Sequence, residues 1–513
     1  MKKIPSFFIA FFAGGLYALA YPSFLGSGFF GLIFLAIPLF FYLLNKEQKL
    51  VKRILVALGF NSGLNVIGYY WIPQTLVEFG GLPYWLSFIV GLFAALILQP
   101  HWWLYTLWPK FKPKGLELNS NLGIFLSALL ITILEWFIPQ QFSSFAGSPW
   151  LQIAPFLGLA PIFGVSLFSF ITYWVSLEIV KVMQTKKINP VVAICFGLFL
   201  ISNIAMPLEK NQTGKDFKVR LVQPNIGNFM KVSSERGDRN SYQAIANLYY
   251  DLSTEDKDFQ ADLIIWPETA YPETFYGTET QITSLFRRIL DESGSELLIG
   301  GYDQNTEKSP MDIIESVHNA SLLLSEGKVK SVYHKNILIP FGETLPFGPL
   351  NEMIVGWVPA ISLFAKGDGT PLMETRDGYR FITPICYEIL KPSFVRSLLN
   401  THGKNHFIVN HTNDSWYGDT AEPHQHLFLS KWRAIEFNLP LIRSTNTGIT
   451  SIIYPDGSES ERMNVGEEEK LDLEIKLAEA PTETIYQRFG QLAFLLVAFI
   501  IGSIEYYRTR LLK

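Results

Sequence analysis

Long apolar runs separated by short polar connectors dominate the first part of the chain. Seven such runs come before Pro207, at 5–22, 27–44, 54–73, 83–108, 122–139, 158–180 and 189–206. A further one, GQLAFLLVAFIIGSIEYY, covers 490–507. About 20 apolar residues in a helix span a ~30 Å hydrocarbon core, so the runs predict a multi-pass α-helical membrane bundle of about eight spans. Trp and Tyr gather near the ends, as in His101-Trp102-Trp103 and Glu505-Tyr506-Tyr507. Amphipathic rings suit the headgroup level.

From Phe217 the pattern changes to short β-rich runs. Residues 218–222 alternate and end in the turn cluster Gln223-Pro224-Asn225. Tyr242, Ile245, Leu248 and Leu252 carry helical spacing over 240–255. The compact apolar run 261–266 is stopped by Pro267 and predicts a strand. Residues 280–292 read as a helix and 296–300 as a strand. Two apolar runs, 320–324 and 329–333, flank Glu326-Gly327-Lys328 and predict a hairpin. Further strands are expected at 379–385, 406–410, 439–445 and 449–454, and helices at 391–400 and 423–437. Strands alternating with helices argue a layered α/β domain.

Charge sharpens the division. Residues 1–207 hold 12 Lys and Arg, 5 Glu and no Asp; the other 71 of the 88 charged residues lie beyond. The expected units are a seven-helix transmembrane domain at 1–207, an extracytoplasmic domain at 208–489, and a C-terminal transmembrane helix with a short tail at 490–513. Orientation follows from the connectors. Lys2 and Lys3, the Lys46–Arg53 group, Lys110 to Lys114, Lys181 to Lys187, and Arg508 to Lys513 all fall on connectors of one parity. The connectors near 23–26, 74–82 and 140–157 carry no Lys or Arg. The positive-inside rule then puts both termini in the cytoplasm and 208–489 outside. Lys2-Lys3, the following apolar run and Ala18-Leu19-Ala20 also fit a cleavable signal peptide, whose loss leaves the remaining topology unchanged.

Composition excludes some classes. Charged residues are 17% of the chain and mean hydropathy is +0.20, which rules out a disordered polyelectrolyte. A net charge of −4 gives no sign of a nucleic-acid partner. Cys195 and Cys386 cannot make a disulfide scaffold and read as free thiols. Only Glu135 and Glu178 look placed inside spans, with Glu135 expected as an interfacial carboxylate. With no inverted repeat or paired broken helices, an anchor and floor fits the bundle better than a pore.

Three strand-end sites stand out for chemistry: Trp266-Pro267-Glu268-Thr269, His334-Lys335-Asn336 and Pro384-Ile385-Cys386-Tyr387-Glu388. Strand ends and the loops after them are where α/β folds build sites. A thiolate is the nucleophile, a Glu can take its proton, and a Lys can hold the thiolate or an oxyanion. Each residue taken singly also has an ordinary reading: a buried small hydrophobe, a capping carboxylate, a solvated lysine.

The ordered set Trp-Pro-Glu, Lys and Cys-Tyr-Glu resembles the Glu–Lys–Cys triad of the nitrilase superfamily. That resemblance implies an α/β nitrilase-like α-β-β-α sandwich. With the surrounding spans, essentially the whole chain is similar to the apolipoprotein N-acyltransferase family. The resemblance implies Glu268 as general base, Lys335 as oxyanion stabiliser and Cys386 as nucleophile. It implies Glu343, in Pro340-Phe-Gly-Glu343, as the glutamate that orients the lysine, Tyr387 and Glu388 as flanking pocket residues, and Trp416 as a loop residue near substrate. Two positions depart from the family pattern: Gly227, where Pro is frequent, and Val232, where Trp is frequent.

The implied reaction is acyl transfer through a Cys386 thioester. The implied partners are a phospholipid acyl donor and a diacylglyceryl apolipoprotein acceptor, with no metal and no cofactor. The implied location is the bacterial inner membrane with the catalytic domain on the periplasmic side, and a monomer is expected. A membrane-tethered nitrilase-like amidase stands as the alternative, and a transporter or receptor with a ligand-binding outer domain is the rival from another class. The apolar stretch 346–364 is expected as a lid dipping Trp357 and Phe364 into the outer leaflet, or else as a buried helix. His424-Gln425-His426 has no third ligand at motif spacing and reads as a helix start. Asp303, Asp312 and Asp368 read as loop residues.

Overall fold

The computed structural model describes residues 5–78, 82–94, 97–140, 142–210, 214–256, 258–269, 271–278, 280–304, 317–340, 342–345, 348, 351 and 363–511. Apolar helices make up the first part. Ser6–Ala18 and Leu50–Gly68 pack along small residues: a Cβ on Gly14 would sit 1.9 Å from the Phe60 carbonyl oxygen, and one on Gly63 1.9 Å from that of Phe11. Small residues let helix backbones approach this closely in apolar surroundings. Beside them Tyr17, Phe40, Phe60 and Trp102 form one aromatic cluster, with centroids 4.6–5.8 Å apart.

Among the described residues, three helices are long and apolar enough to cross a membrane: Leu50–Gly68, Val165–Thr185 and Gln491–Leu511. Ser6–Ala18, Phe30–Lys46, Tyr84–Ala94, Asn121–Phe137 and Pro190–Ala205 are shorter apolar helices. The run 83–108, expected as one span, is divided into Tyr84–Ala94, His101–Tyr105 and Trp108–Phe111. Pro100 and Pro109 stand at the starts of the later pieces, where a missing N–H is harmless. Glu135, near the end of Asn121–Phe137, is buried among the helices and accepts hydrogen bonds from Ala146 N and the Tyr173 hydroxyl, each at 2.7 Å.

Two sheets form the second part. In chain order the strands are β1 (Lys215–Gln223), β2 (Leu263–Ile265), β3 (Thr274–Phe275), β4 (Glu296–Gln304), β5 (Val317–Ser325), β6 (Lys328–His334), β7 (Met373–Glu374), β8 (Arg380–Ile382), β9 (Phe407–Thr412), β10 (Leu441–Thr445), β11 (Thr450–Ile453), β12 (Glu459–Met463) and β13 (Glu469–Leu477). One sheet runs β13-β1-β2-β4-β5-β6, with β3 beside β4; the other runs β12-β11-β10-β9-β8-β7. The centre of each is parallel and the edges antiparallel. Strands β12 and β13 escape the sequence reading because charged residues fill their outward positions. Even so, β13 alternates Leu471, Leu473, Ile475 and Leu477 against β1 in unbroken register.

The sheets face each other. Phe217 meets Phe407 at 5.5 Å, and the Ser321 hydroxyl donates to His411 Nε2 at 2.9 Å while His411 Nδ1 donates to the Trp266 carbonyl. Tyr249 and Phe286, on helices Arg239–Thr254 and Ser284–Ser293, cover the outer face of the first sheet. Val395, Leu398 and Ile435, on Pro392–His402 and Glu422–Phe437, cover that of the second. The layering is α-β-β-α.

Helix Glu422–Phe437 also fastens the sandwich to the apolar helices. Gln425 Nε2 donates to the carbonyls of Pro22 and Gly68, both at 2.8 Å, and its Oε1 accepts from Trp71 Nε1 at 3.2 Å. Glu436 Oε1 accepts from Val165 N at 2.8 Å.

Candidate active site

Glu268 leaves the end of β2, where Pro267 stops the ladder. Gly300 of β4 permits the crossing: a Cβ there would lie 2.3 Å from the Pro267 carbonyl oxygen and 2.5 Å from Glu268 Cα. Thr269 follows at φ 39°, an uncommon conformation for a β-branched residue. Both Glu268 oxygens are engaged. Oε1 accepts from Lys335 Nζ at 2.9 Å and Asn319 Nδ2 at 2.7 Å, and Oε2 accepts from Asn413 N at 3.0 Å.

Lys335 follows β6 directly and is fully buried at 0% exposure. Its Nζ donates to Glu343 Oε1 at 2.7 Å as well as to Glu268. An ammonium has three donors, so one is left for a reacting group. Glu343 is held in turn by Ile339 N at 2.9 Å and Asn319 Nδ2 at 3.1 Å. Burial pulls the Lys335 pKa down, and the charges of Glu268 and Glu343 overcome this, leaving it well above its ordinary value.

Cys386 opens the turn Cys386–Leu390 at φ 52°, in the left-handed region, and is 5% exposed. Asn410 of β9 grips the turn by donating to the carbonyls of Pro384 and Cys386, at 2.9 and 3.0 Å. Glu388 grips it from the other side. Its Oε2 accepts from Ile385 N and the Tyr333 hydroxyl, and its Oε1 from Asn336 N and Ile337 N, all at 2.7–2.8 Å. One carboxylate thus clamps the cysteine turn to the lysine loop. Burial pushes the Glu388 pKa up to about 7, against the pull of the Ile337 and Ile385 N–H groups. Burial and the charge of Glu268 raise the Cys386 thiol well above its ordinary value, while Lys335 and a hydrogen bond with Thr412 act to lower it. The resting sulfur is therefore a thiol that feels an acid and an ammonium from two other segments.

The remaining expected residues spread around this centre. Tyr387 is buried beneath the Lys391 ammonium, 5.0 Å from its ring centroid, and burial raises its pKa to about 12. Trp416 is half-buried in the loop after β9. Phe364 is half-buried and stacks on Tyr302 at 5.9 Å. Trp357 and most of 346–364 lie outside the described residues. Asp303 is not a loop residue: it ends β4 buried, paired with His334 at 2.7 Å.

Three features escape the sequence reading. Asn319, one strand residue among many, bridges both glutamates because β5 passes under them. Lys231 is buried beside Thr269. Asp414 and Glu422 join His426, with ligand atoms within 4.8 Å of one another. These two carboxylates face one guanidinium, that of Arg443, 3.0 Å from Asp414. One negative charge is left over. Burial and Asp414 raise the Glu422 pKa well above the ordinary range, so a proton on Glu422 can neutralise the cluster without a metal.

Two family models match the chain. The carbon-nitrogen hydrolase family model matches residues 218–481, and the apolipoprotein N-acyltransferase N-terminal domain model matches 13–177. A protein of Bdellovibrio bacteriovorus named apolipoprotein N-acyltransferase is 28% identical over 92% of this chain and 89% of its own. One of the same name from Haemophilus influenzae is 28% identical over 96% and 92%. The solved Saccharomyces cerevisiae Nit3, of the nitrilase superfamily, covers 55% of this chain and 98% of its own, at 16% identity and a TM-score of 0.38. The chain belongs to the carbon-nitrogen hydrolase family and carries the N-terminal domain of apolipoprotein N-acyltransferase ahead of the hydrolase fold.

Proposed function

We propose that the chain moves a fatty acyl group from a phospholipid to the α-amino group of the lipid-modified N-terminal cysteine of an apolipoprotein. One observation carries the reading: a Cys–Glu–Lys centre on the carbon-nitrogen hydrolase fold is seated directly on apolar helices. The loop after β9 touches them next to the site, with Ala421 N donating to the Tyr70 hydroxyl and Tyr417 packing 5.3 Å from Trp71. The relatives that match both parts of the chain carry the acyltransferase name, which favours transfer over the hydrolysis of a tethered amidase.

In this reading residues 1–207 and 490–513 make eight spans in a bacterial inner membrane, both termini are cytoplasmic, and 208–489 form the periplasmic catalytic domain. Cys386 Sγ attacks the ester carbonyl while Glu268 takes the thiol proton. The third Lys335 donor holds the oxyanion, a contribution of about 3–4 kcal/mol for such a group. The C–O bond breaks, and the lysophospholipid alkoxide leaves with the proton from Glu268. The acceptor amine then attacks the thioester, gives a proton to Glu268, and expels the Cys386 sulfur, which regains it. Incubation with phospholipid alone should leave an adduct of one fatty-acyl mass on Cys386, lost in Cys386→Ala. Release of free fatty acid at the rate of turnover, with no acylated acceptor, would instead indicate the hydrolase.

A further inference from the structure

A second buried lysine stands beside the catalytic cluster and has no part in the chemistry above. Lys231 lies on helix Asn228–Glu235 and is 6% exposed. Its Nζ donates to Thr269 Oγ1 at 3.0 Å and lies 5.6 Å from the centroid of the Tyr302 ring. Among the described residues it has no other hydrogen bond and no ion pair. Two of its three donors therefore have no protein partner there. A buried charge without a partner is costly, and such groups concentrate where a ligand supplies the missing charge.

The surroundings say which ligand. Glu268 and Glu343 outnumber Lys335 by one negative charge, which opposes an anionic substrate unless a second cation is present. Lys231 supplies it within electrostatic reach of both glutamates and of Glu235. The helix that turns this cation inward turns Phe229, Met230 and Val232 outward, with Phe229 88% exposed. A cation on one side and apolar side chains on the other suit an amphiphile with a single anionic group. In the acyl-transfer reading, on which this inference rests, the donor carries a phosphodiester and the diacylglyceryl-cysteine acceptor carries none.

We propose that Lys231 binds the phosphodiester of the acyl donor in the first half-reaction and so selects phospholipids over neutral esters. The lysophospholipid keeps the phosphate and takes it away when it leaves, clearing the place for the acceptor. The competing explanation is that Lys231 only pins Thr269 in its strained conformation.

A chemical double-mutant cycle separates the two. The full-length protein in detergent is given the monomethyl ester of a phosphatidic acid, which is anionic, or its dimethyl ester, which is neutral. The rate of acyl-Cys386 formation is read by intact mass. The wild type should favour the anionic donor by about tenfold or more, the size of one charge-assisted hydrogen bond. Lys231→Met should bring the ratio of the two rates close to one, and Lys231→Arg should restore the preference. A preference that survives in Lys231→Met overturns the proposal, including the case in which both rates drop together, which marks a purely structural lysine. Equal rates in the wild type overturn it without any variant, which covers a Lys231→Met protein that fails to fold. If neither donor labels Cys386 in the wild type, the missing adduct overturns the acyl-transfer reading, and this proposal with it.

Discussion

Cys386 is held in a backbone conformation that few residues with a Cβ adopt, at φ 52°. Strain of this kind is worth about 1–3 kcal/mol and persists only when the surroundings fix it; here Asn410 and Glu388 do so. Because burial and Glu268 keep the sulfur protonated, alkylation of Cys386 by iodoacetamide at pH 7 should be slower than that of an ordinary thiol, and its rate should rise through a pH above the usual ~8.5. Glu268→Gln removes a negative charge and should bring that pH down; Lys335→Met removes a positive one and should move it up. Mass spectra of the adduct against pH check both signs, and faster labelling than a free thiol at pH 7 would refute the account. Glu388 titrates in a different window. Folding raises its pKa from 4.5 to about 7, so the stability linked to its proton is intact below 4.5 and is lost as pH rises through about 7. The clamp itself needs both oxygens as acceptors, so acylation of Cys386 should rise between pH 6 and 8 as Glu388 ionises. Glu388→Gln, with one accepting oxygen for four donors, should be slow and lack that rise.

At the scale of elements, glycine decides how close β2 and β4 bring Glu268 to the rest of the site. Gly300→Ala places a methyl group 2.3 Å from the Pro267 carbonyl oxygen, against backbone that has nowhere to go. Acylation should fall by more than about tenfold, with about 1–3 kcal/mol of stability lost to overpacking. Gly301→Ala next to it is the control, since its methyl group meets the Leu322 side chain at 3.3 Å and should be milder on both counts. Acylation rates and thermal midpoints of the pair check this. The sequence announces Glu268, Lys335 and Cys386 because each follows an apolar run that ends in a local stop. Nothing local announces Asn319, because its role comes from the register β5 takes beside β4, with Asn319 opposite Tyr302. The Asp414, Glu422 and His426 cluster is hidden for the same reason: a loop and a helix meet only in three dimensions. Charged residues at alternate positions hide strand β13, although its period of two is present.

For the molecule as a whole, hydropathy marks where apolar segments lie but not how each is used. The run 83–108 is apolar enough for one long helix, yet it is divided, and Gln99 and His101 are buried within it. What composition cannot reveal is how firmly the two parts are joined. Gln425 makes three hydrogen bonds across the join, to Pro22, Gly68 and Trp71, and lies on the same helix as His426 behind the active-site loop. If the bundle serves to present the site to lipid at a fixed height, loosening this join should harm reactions that need the membrane more than those that do not. Gln425→Leu fills nearly the same space and leaves two carbonyls and one indole N–H without partners, at about 1–3 kcal/mol for each group that water cannot reach. The thermal midpoint in detergent should drop by several degrees, as follows from ~1–3 kcal/mol in a chain of this size. Cys386 acylation by a short-chain soluble ester should stay within about twofold of wild type, and acylation by phospholipid in vesicles should fall by about tenfold, since small misplacements at a site carry losses of that order or more. Equal losses with both donors would mean that the bundle is only a tether, and that the geometry of the join has no part in catalysis.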